Sequence, residues 1–192
     1  MKRCAYGAIF TLMILLSACG ENAAETADKA AGFYSSLSEF CATAHISMNH
    51  GEYVTEYVIL HELSGEGHCL TVKEPLSLSG LSMTFDGEKT ELRFKDALFL
   101  PPSLDGTKAT PMKLLPDVLY SLTKGNYEAA YHLEKDGVPC ISFVTWSKVD
   151  GEEFMYRVTL SAEGFEPMYA EVFSNGKAVL TAEYTDVQLV SG

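Results

Sequence analysis

EPMYAEVFSNGKAVLTAEYTDVQL, residues 166–189, is the stretch that decides the fold. Its apolar residues tend to recur at every second position, and Asn175-Gly176 divides it into two halves. Such alternation is typical of a strand, and Asn-Gly is a dipeptide that tight hairpin turns prefer. One face of the second half begins with an apolar row: Ala178, Leu180, Ala182 and Tyr184. The stretch therefore predicts a long hairpin with one buried face.

Similar hairpin signals occur upstream. Three further turn pairs separate alternating segments: Asp86-Gly87, Asp136-Gly137 and Asp150-Gly151. Around the first pair, five residues alternate inward: Leu81, Met83 and Phe85 before the turn, Leu92 and Phe94 after it. In EFMYRVTLS, residues 153–161, one face is formed by Phe154, Tyr156 and Val158. Four tight turns between alternating strands predict an antiparallel meander that forms one large curved sheet.

Two helices are expected beside the sheet. One N-terminal side is apolar at helical spacing: Phe33, Leu37, Phe40, Cys41 and Ala44. After a proline-rich loop at 101–111, a second helical pattern, ended by Gly125, contains Leu114, Leu115, Val118, Leu119 and Leu122. Proline disrupts helix interiors, so the stable part of this second helix is expected to begin at Pro116. A short apolar helix inserted in a sheet protein must pack on the sheet, as a lid or plug.

The N-terminus has the layout of an export signal. Lys2 and Arg3 precede an apolar run that ends at Leu16. The run has about thirteen residues, fewer than the roughly 20 that a membrane-spanning helix needs. Leu16-Ser17-Ala18-Cys19 resembles the lipobox of bacterial lipoproteins, which implies removal of residues 1–18 and a diacylglycerol on Cys19. The alternatives are an ordinary signal peptide or an uncleaved short anchor.

The segment after Cys19 reads as a tether. GENAAETADKAAG, residues 20–32, is small and polar and has no large apolar residue. Such a composition stays flexible. We therefore expect residues 19–32 to form a flexible tether, able to reach about 45 Å if extended. Residues 33–192 are expected to form a single domain.

Net charge restricts the partners. The full chain carries a formal charge of −12, and loss of Lys2 and Arg3 with residues 1–18 leaves −14. A body this acidic is repelled by phosphate backbones and anionic headgroups. Nucleic acid is therefore not an expected partner.

Catalytic signatures are absent from the sequence. It has no P-loop, nucleophile elbow or dinucleotide-binding glycine pattern, and the serines of SLSGLS, residues 77–82, lack a strand-to-helix setting. We expect no catalytic residue and no cofactor. Three cysteines remain in the body: Cys41, Cys69 and Cys140. Cys69 and Cys140 could pair if they are neighbours, or all three could be small buried thiols.

Two histidines flank the SGEG turn. His61 and His68 could be diagonal neighbours on one face of a hairpin, within reach of one metal ion. Cys69 points to the opposite face, and the sequence fixes no third ligand. The pattern is interpreted as surface histidines, and no metal site is expected.

The whole order of elements resembles a known fold. A lipobox, an N-terminal helix, a long meander with the segment VTEYVILHELSGEGHCLTVKEPLSLSG at residues 54–80, a central loop plus helix and the closing hairpin are similar to the LolA/LolB-like lipoprotein carriers. The resemblance covers roughly residues 33–190 and includes the LolA-like lipoproteins of Gram-positive clostridia, such as the spore germination lipoprotein. It implies an α+β, mainly β fold: a curved antiparallel half-barrel with a short N-terminal helix and an inserted lid or plug helix.

The resemblance also implies a binding site. In the carriers an apolar interior under the helical lid receives acyl chains. The corresponding candidates are the inward residues Leu81, Met83, Phe85, Leu92, Phe94, Leu115, Leu119, Leu122, Phe154, Tyr156 and Val158. The alternative is that these rows form a filled core.

Two functions are consistent with this sequence. The first is a non-enzymatic, extracytoplasmic lipoprotein, held to the cell membrane by diacylglycerol on Cys19, that binds a lipid-like or other apolar ligand. The second, implied by the germination lipoprotein's amidase partner, is an accessory protein that binds and supports an envelope enzyme of peptidoglycan or cortex. An unfilled apolar cavity favours the first, whereas a filled core with an exposed apolar patch or unpaired edge strand favours the second.

Overall fold

The structure, a computed structural model, describes residues 22–65, 67–86, 89–99, 110–123, 125, 127–149 and 151–192. Within these residues eleven strands form one antiparallel sheet, and two helices pack on one face of it. The helices are α1 (Ala23–Ser35) and α2 (Pro111–Thr123). The strands are β1 (Leu37–Asn49), β2 (Val54–Ser64), β3 (Gly67–Glu74), β4 (Ser82–Phe85), β5 (Thr90–Phe94), β6 (Ala97–Phe99), β7 (Ala129–Lys135), β8 (Val138–Val149), β9 (Glu152–Ser161), β10 (Pro167–Ser174) and β11 (Lys177–Ser191). The predicted fold class is confirmed.

The closing hairpin lies near the middle of the sheet. The strand order is β6-β5-β4-β3-β2-β1-β11-β10-β9-β8-β7, so the first and last strands pair with each other. Asn175 and Gly176 join β10 to β11 with φ values of 51° and 74°, as a tight hairpin turn of this kind requires. On β11, Tyr184 lies opposite Ala44 of β1. The hairpin predicted from residues 166–189 is therefore confirmed.

The inner face of the sheet, defined as the face that carries the helices, holds the core. On β1 its members alternate and are all buried: Phe40, Ala42, Ala44, Ile46 and Met48. The helices contact each other, and among the described residues their contacts with the sheet fall chiefly on β7, β8 and β9. The helices therefore cover one half of the inner face more closely than the other.

The predicted flexible tether is partly wrong, because residues 23–32 lie in α1. Asn22 caps the helix, and its side-chain oxygen accepts a hydrogen bond from the Ala24 N–H at 3.2 Å. Ala27 and Ala30 have no solvent-exposed surface. A small, polar composition resembles a linker, but alanines also allow a helix to pack closely against its neighbours.

The predicted N-terminal helix over residues 33–44 is also wrong beyond Ser35. The chain leaves α1 there and enters β1 at Leu37. The helical spacing of Phe33, Leu37 and Phe40 competed with a period of two from Phe40 onward. The second pattern decides the structure because pairing with β2 and β11 buries that alternating face.

The prediction that α2 begins at Pro116 is wrong as well, because the helix starts at Pro111 and continues through Pro116. Only the first four N–H groups of a helix lack an intrahelical acceptor, and Pro116 is the sixth residue, so its missing N–H costs α2 one backbone hydrogen bond. Leu114, Leu115 and Pro116 are all buried. Packing of this apolar side outweighs the lost bond.

Several predictions fall outside the described residues. These are the signal segment 1–18, the lipidation site Cys19, loop residues 101–109 and the turn residues Gly87 and Asp150.

Candidate functional site

The eleven candidate residues divide into two groups. Seven are buried in one packed cluster: Met83, Leu115, Leu119, Leu122, Phe154, Tyr156 and Val158. Four are only half-buried: Leu81, Phe85, Leu92 and Phe94. The first three of these pack against the cluster, whereas Phe94 lies beside Lys95, whose Nζ is 5.2 Å from the ring centroid. An open site among these candidates would therefore lie at the half-buried group.

The interior beneath α2 contains polar groups as well as apolar ones. Ser147 donates a hydrogen bond from Oγ to Asp117 Oδ1 at 3.2 Å. Asp117 Oδ2 and the Tyr156 hydroxyl are buried without a hydrogen bond of good geometry. Burial and the nearby Asp117 charge raise the pKa of Tyr156 well above its usual range. Tyr156 therefore stays protonated and supplies no base or nucleophile at neutral pH.

Two inner-face rows show where the site opens. Each row crosses the sheet from β1 toward β6, one residue opposite the next. The first row is Ala42, His61, Leu70, Met83 and Leu92. The second row is Phe40, Leu63, His68 and Phe85. Both rows begin buried at β1 and end half-buried on β4 or β5.

We call the half-buried inner-face residues of this region the open margin: Leu63, His68, Leu81, Phe85 and Leu92. The four apolar members pack against the core on one side and keep exposed surface on the other. The margin lies on β2–β5 and at Leu81, the residue just before β4, away from the strands that the helices contact most. It offers an accessible apolar surface with one imidazole among its members.

The histidine pair lies at this margin. His61 Nε2 and His68 Nδ1 are 3.0 Å apart and share one hydrogen bond, so the predicted diagonal pairing is confirmed. The prediction that both are surface residues is wrong, because His61 has no exposed surface and packs edge-on against Phe40 at 5.0 Å. Alternation in EYVTEYVILHEL placed His61 on the same face as Ile59 and gave the available signal for its burial.

Both imidazoles are kept neutral. Burial, followed by the neighbouring His68, lowers the pKa of His61 well below its usual range, and burial also lowers the pKa of His68. His61 Nδ1 has no hydrogen-bond partner. A proton on this pair would place a charge against Phe40 and Leu70, which cannot solvate it.

The histidine pair predicts a loss of stability in mild acid. Both pKa values are lower in the folded chain, so the unfolded chain binds more protons once the pH falls below about 6.5. The free energy of unfolding should fall by about 1 kcal/mol between pH 6.5 and 5.5. This is close to the largest change that one extra proton bound by the unfolded chain can produce over that range. Urea unfolding at pH 7.5, 6.5 and 5.5 measures this change.

A double variant, His61→Phe with His68→Phe, should lose most of that pH dependence. His45 is exposed on the other face of β1, so His45→Phe should keep it. If the free energy of unfolding changes equally with pH in the double variant and the wild-type protein, the pair does not titrate as described.

A pocket of about 310 Å³ lies where β1, β2, β3 and β11 meet. Most of its lining residues lie on the outer face of the sheet, and none is among the eleven candidates. The lining is Glu39, Phe40, Cys41, Glu62, Leu63, Ser64, Gly67, Cys69, Gln188 and Val190. This mixed lining of carboxylates and thiols differs from the apolar interior that the sequence predicted.

The Cys41 thiol of this pocket is not poised for nucleophilic chemistry. Burial, followed by the Glu62 charge, raises the pKa of the Cys41 thiol, which disfavours the nucleophilic thiolate. Cys41 and Cys69 both lie opposite Glu62, with one strand between them. That places their Cα atoms about 10 Å apart, beyond the roughly 7 Å limit for a disulfide.

The possible pairing of Cys69 with Cys140 is not present, and both are free. Cys69 is on β3 and Cys140 on β8, on opposite halves of the sheet. Cys140 is buried, with its Sγ 3.4 Å from Met168 Sδ. All three cysteines are unpaired, but the interpretation that all three are buried is confirmed only for Cys140, because Cys41 and Cys69 are half-buried.

Two kinds of feature are absent from the described ranges. Within them, no three or more histidine, cysteine, aspartate or glutamate side chains are arranged to hold a metal ion. No helix in the same part of the chain is long and apolar enough to cross a membrane.

Comparison with known proteins gives a shared fold. No protein-family model and no curated protein sequence matches the chain. Among solved structures, an uncharacterized conserved protein from Thermus thermophilus superposes with a TM-score of 0.55 and 10% identity, over 90% of each chain. At this identity the likeness shows the fold alone.

Two other solved structures are more loosely similar. A LolA superfamily protein from Nitrosomonas europaea has a TM-score of 0.42 and 12% identity, over 90% of this chain and 96% of that one. The lipoprotein LppX from Mycobacterium tuberculosis has a TM-score of 0.47 and 7% identity, over 86% of this chain and 94% of that one. At TM-scores below 0.5, these two likenesses give no information about function. The resemblance to the clostridial lipoproteins stays a prediction.

Proposed function

We propose that the chain is a non-enzymatic lipoprotein of the cell envelope, held outside the cytoplasm by diacylglycerol on Cys19, that binds a lipid-like or other apolar ligand at the open margin. One observation carries the proposal. The inner-face rows that are buried at Phe40 and Ala42 end half-buried at Phe85 and Leu92, on strands outside the β7–β9 region that the helices contact most.

The chemistry of the open margin suits an acyl chain with a polar end. Leu63, Phe85 and Leu92 supply apolar contact, which is worth about 25 cal/mol for each Å² removed from water. His68 is the polar group among them, and its Nδ1 is already bonded to His61. Its other ring nitrogen, Nε2, is the atom that would meet a carboxyl or headgroup oxygen of a ligand.

A pair of variants on β4 tests this site. Phe85 faces inward at the margin, whereas its neighbour Thr84 is exposed on the outer face. Phe85→Gln should weaken binding of a dansyl-labelled fatty acid about tenfold, because it removes apolar contact worth about 1.4 kcal/mol or more. Thr84→Gln introduces the same side chain on the same strand and should leave binding unchanged.

Fluorescence titration of each purified variant gives the dissociation constants, and circular dichroism checks that each is folded. Equal affinity of the two variants for the probe would show that it does not bind at the open margin. A wild-type protein that does not bind it would contradict ligand binding altogether.

A second candidate function is an accessory protein for an envelope enzyme such as an amidase. The observation in its favour is β7, an edge strand that pairs only with β8 within the described part of the sheet. Exposed apolar side chains also occur elsewhere, including Leu76 with 88% of its surface exposed. An unpaired edge can accept a strand from a partner. Stoichiometric binding of a purified amidase by ligand-free protein would favour this function.

A further inference from the structure

The start of α1 lies close to the proposed anchor. Only Gly20 and Glu21 separate Cys19 from Asn22, the residue that caps the helix. Three Cα-to-Cα steps can span at most about 11 Å. If Cys19 carries diacylglycerol, as the proposed function requires, the surface around Asn22 must lie near the membrane. The predicted 45 Å reach is lost because residues 23–32 are helical.

A series of contacts shows which surface this is. The Tyr127 hydroxyl donates to the Ala24 carbonyl at 3.1 Å and to Asp28 Oδ1 at 3.0 Å, both in the first half of α1. The next residue, Glu128, accepts a hydrogen bond from Trp146 Nε1 through its Oε2 at 2.6 Å. Tyr127 packs against Phe143 on the inner face, whereas Trp146 alternates with inner residues of β8 and lies on the outer face. The two adjacent residues therefore place the start of α1 and Trp146 at the same end of the sheet, on opposite faces.

Trp146 suits a membrane interface. It keeps 48% of its surface exposed although it is large and aromatic. Tryptophan is enriched at the headgroup level of bilayers because its ring is apolar and its N–H is polar. An exposed indole at the end of the sheet where α1 begins therefore fits the headgroup region of a bilayer.

The charge of the side chains near the start of α1 restricts which lipid headgroups this surface can approach. The side chains around the start of α1 are mainly acidic: Glu25, Asp28 and Glu128, with Lys29 paired to Glu25 at 3.3 Å. Carboxylates are repelled by anionic headgroups. The surface therefore fits a zwitterionic bilayer held close by the anchor.

We propose that the start of α1 and Trp146 form the membrane-facing surface of the protein, with the indole ring in the headgroup region of the bilayer that holds the Cys19 lipid. The apolar ring then fixes the orientation of a domain whose affinity for the membrane comes from its acyl chains. The opposite end of the strands points away from the bilayer.

The only tryptophan of the chain makes this surface directly measurable. The full lipidated protein is reconstituted in phosphatidylcholine vesicles whose acyl chains carry bromine, a short-range quencher of tryptophan fluorescence. On the vesicles, Trp146 emission should lie to the blue of its position in water, as expected for a ring at the interface. Bromine should lower its intensity about twofold relative to vesicles without bromine.

A matched control moves the reporter to the other end of the sheet. Val190 is exposed to the same 48% as Trp146. Strand pairing from β8 through β9 and β10 places Trp146 level with Ala178 of β11. Val190 is twelve residues further along β11, which is about 40 Å. In the variant Trp146→Phe with Val190→Trp, bromine should leave the emission almost unchanged.

The outcomes separate orientation from anchoring. Equal or stronger quenching at position 190, in protein that carries diacylglycerol and floats with the vesicles, would overturn the orientation and leave the anchor intact. Protein whose mass lacks the lipid, and which does not float, would contradict the anchor and the orientation together. Circular dichroism confirms that both proteins are folded.

Discussion

Replacing Ala30 with glutamate should lower the free energy of unfolding by about 3 kcal/mol or more. Ala30 has no exposed surface, and α1 packs against α2, β7 and β8. A carboxylate at this position must either be buried without a partner or force the helix off the sheet. The same replacement at Ala24, exposed near the start of the helix, should change stability by less than about 0.5 kcal/mol.

Urea unfolding followed by circular dichroism measures both variants. The comparison tests whether residues 23–32 belong to the folded core, because a flexible tether would tolerate glutamate equally at Ala24 and Ala30. Equal stability of the two variants would therefore contradict the packing of α1.

Replacing Gly67 with alanine should be nearly as damaging, at about 3 kcal/mol. Gly67 has a φ of 103°, and an added Cβ would overlap the Phe85 carbonyl oxygen and lie 2.8 Å from Asp86 Cα. All of these atoms are backbone, so relief requires β3 and β4 to separate. The change would also displace Phe85 from the open margin.

Gly51→Ala is the matched control. Gly51 has a similar φ of 92°, but nothing lies within 4 Å of the Cβ that alanine would add. Its cost should be that of the backbone conformation alone, about 1 kcal/mol. Thermal or urea unfolding gives both values, and equal losses would show that β3 and β4 are not as close at Gly67 as described.

The sheet could be predicted well from the sequence because its signals are local. In the closing hairpin, the alternation of Leu180, Ala182 and Tyr184 and the Asn175-Gly176 turn both indicate the same register. Local preference and burial agree at these positions, so one chain segment is enough to predict the structure.

The N-terminal region was harder because its signals conflict. Ala27 and Ala30 are too small to register as a hydrophobic stripe, yet they lie against the core. Phe40 fits both a helical and an alternating spacing, and only pairing with β2 and β11 resolves the two. Long-range pairing of this kind cannot be read from a local pattern.

The sequence predicts which candidate residues face inward, but not which of these are accessible to a ligand. Period two correctly placed Phe154, Tyr156 and Phe85 on the inner face. Whether an inward residue is packed or accessible depends on where the helices lie, and they cover β7–β9 more than β2–β5. Burial of His61 likewise depends on its neighbour Phe40 from another strand.

Native mass spectrometry of the purified wild-type chain, combined with solvent extraction, tests ligand binding at the open margin most directly. We expect one lipid-like molecule per chain, retained under native conditions and released when the protein is denatured, if the open margin binds a ligand. A folded chain that carries no apolar ligand, and takes none up from added phospholipid or fatty acid, would contradict ligand binding there.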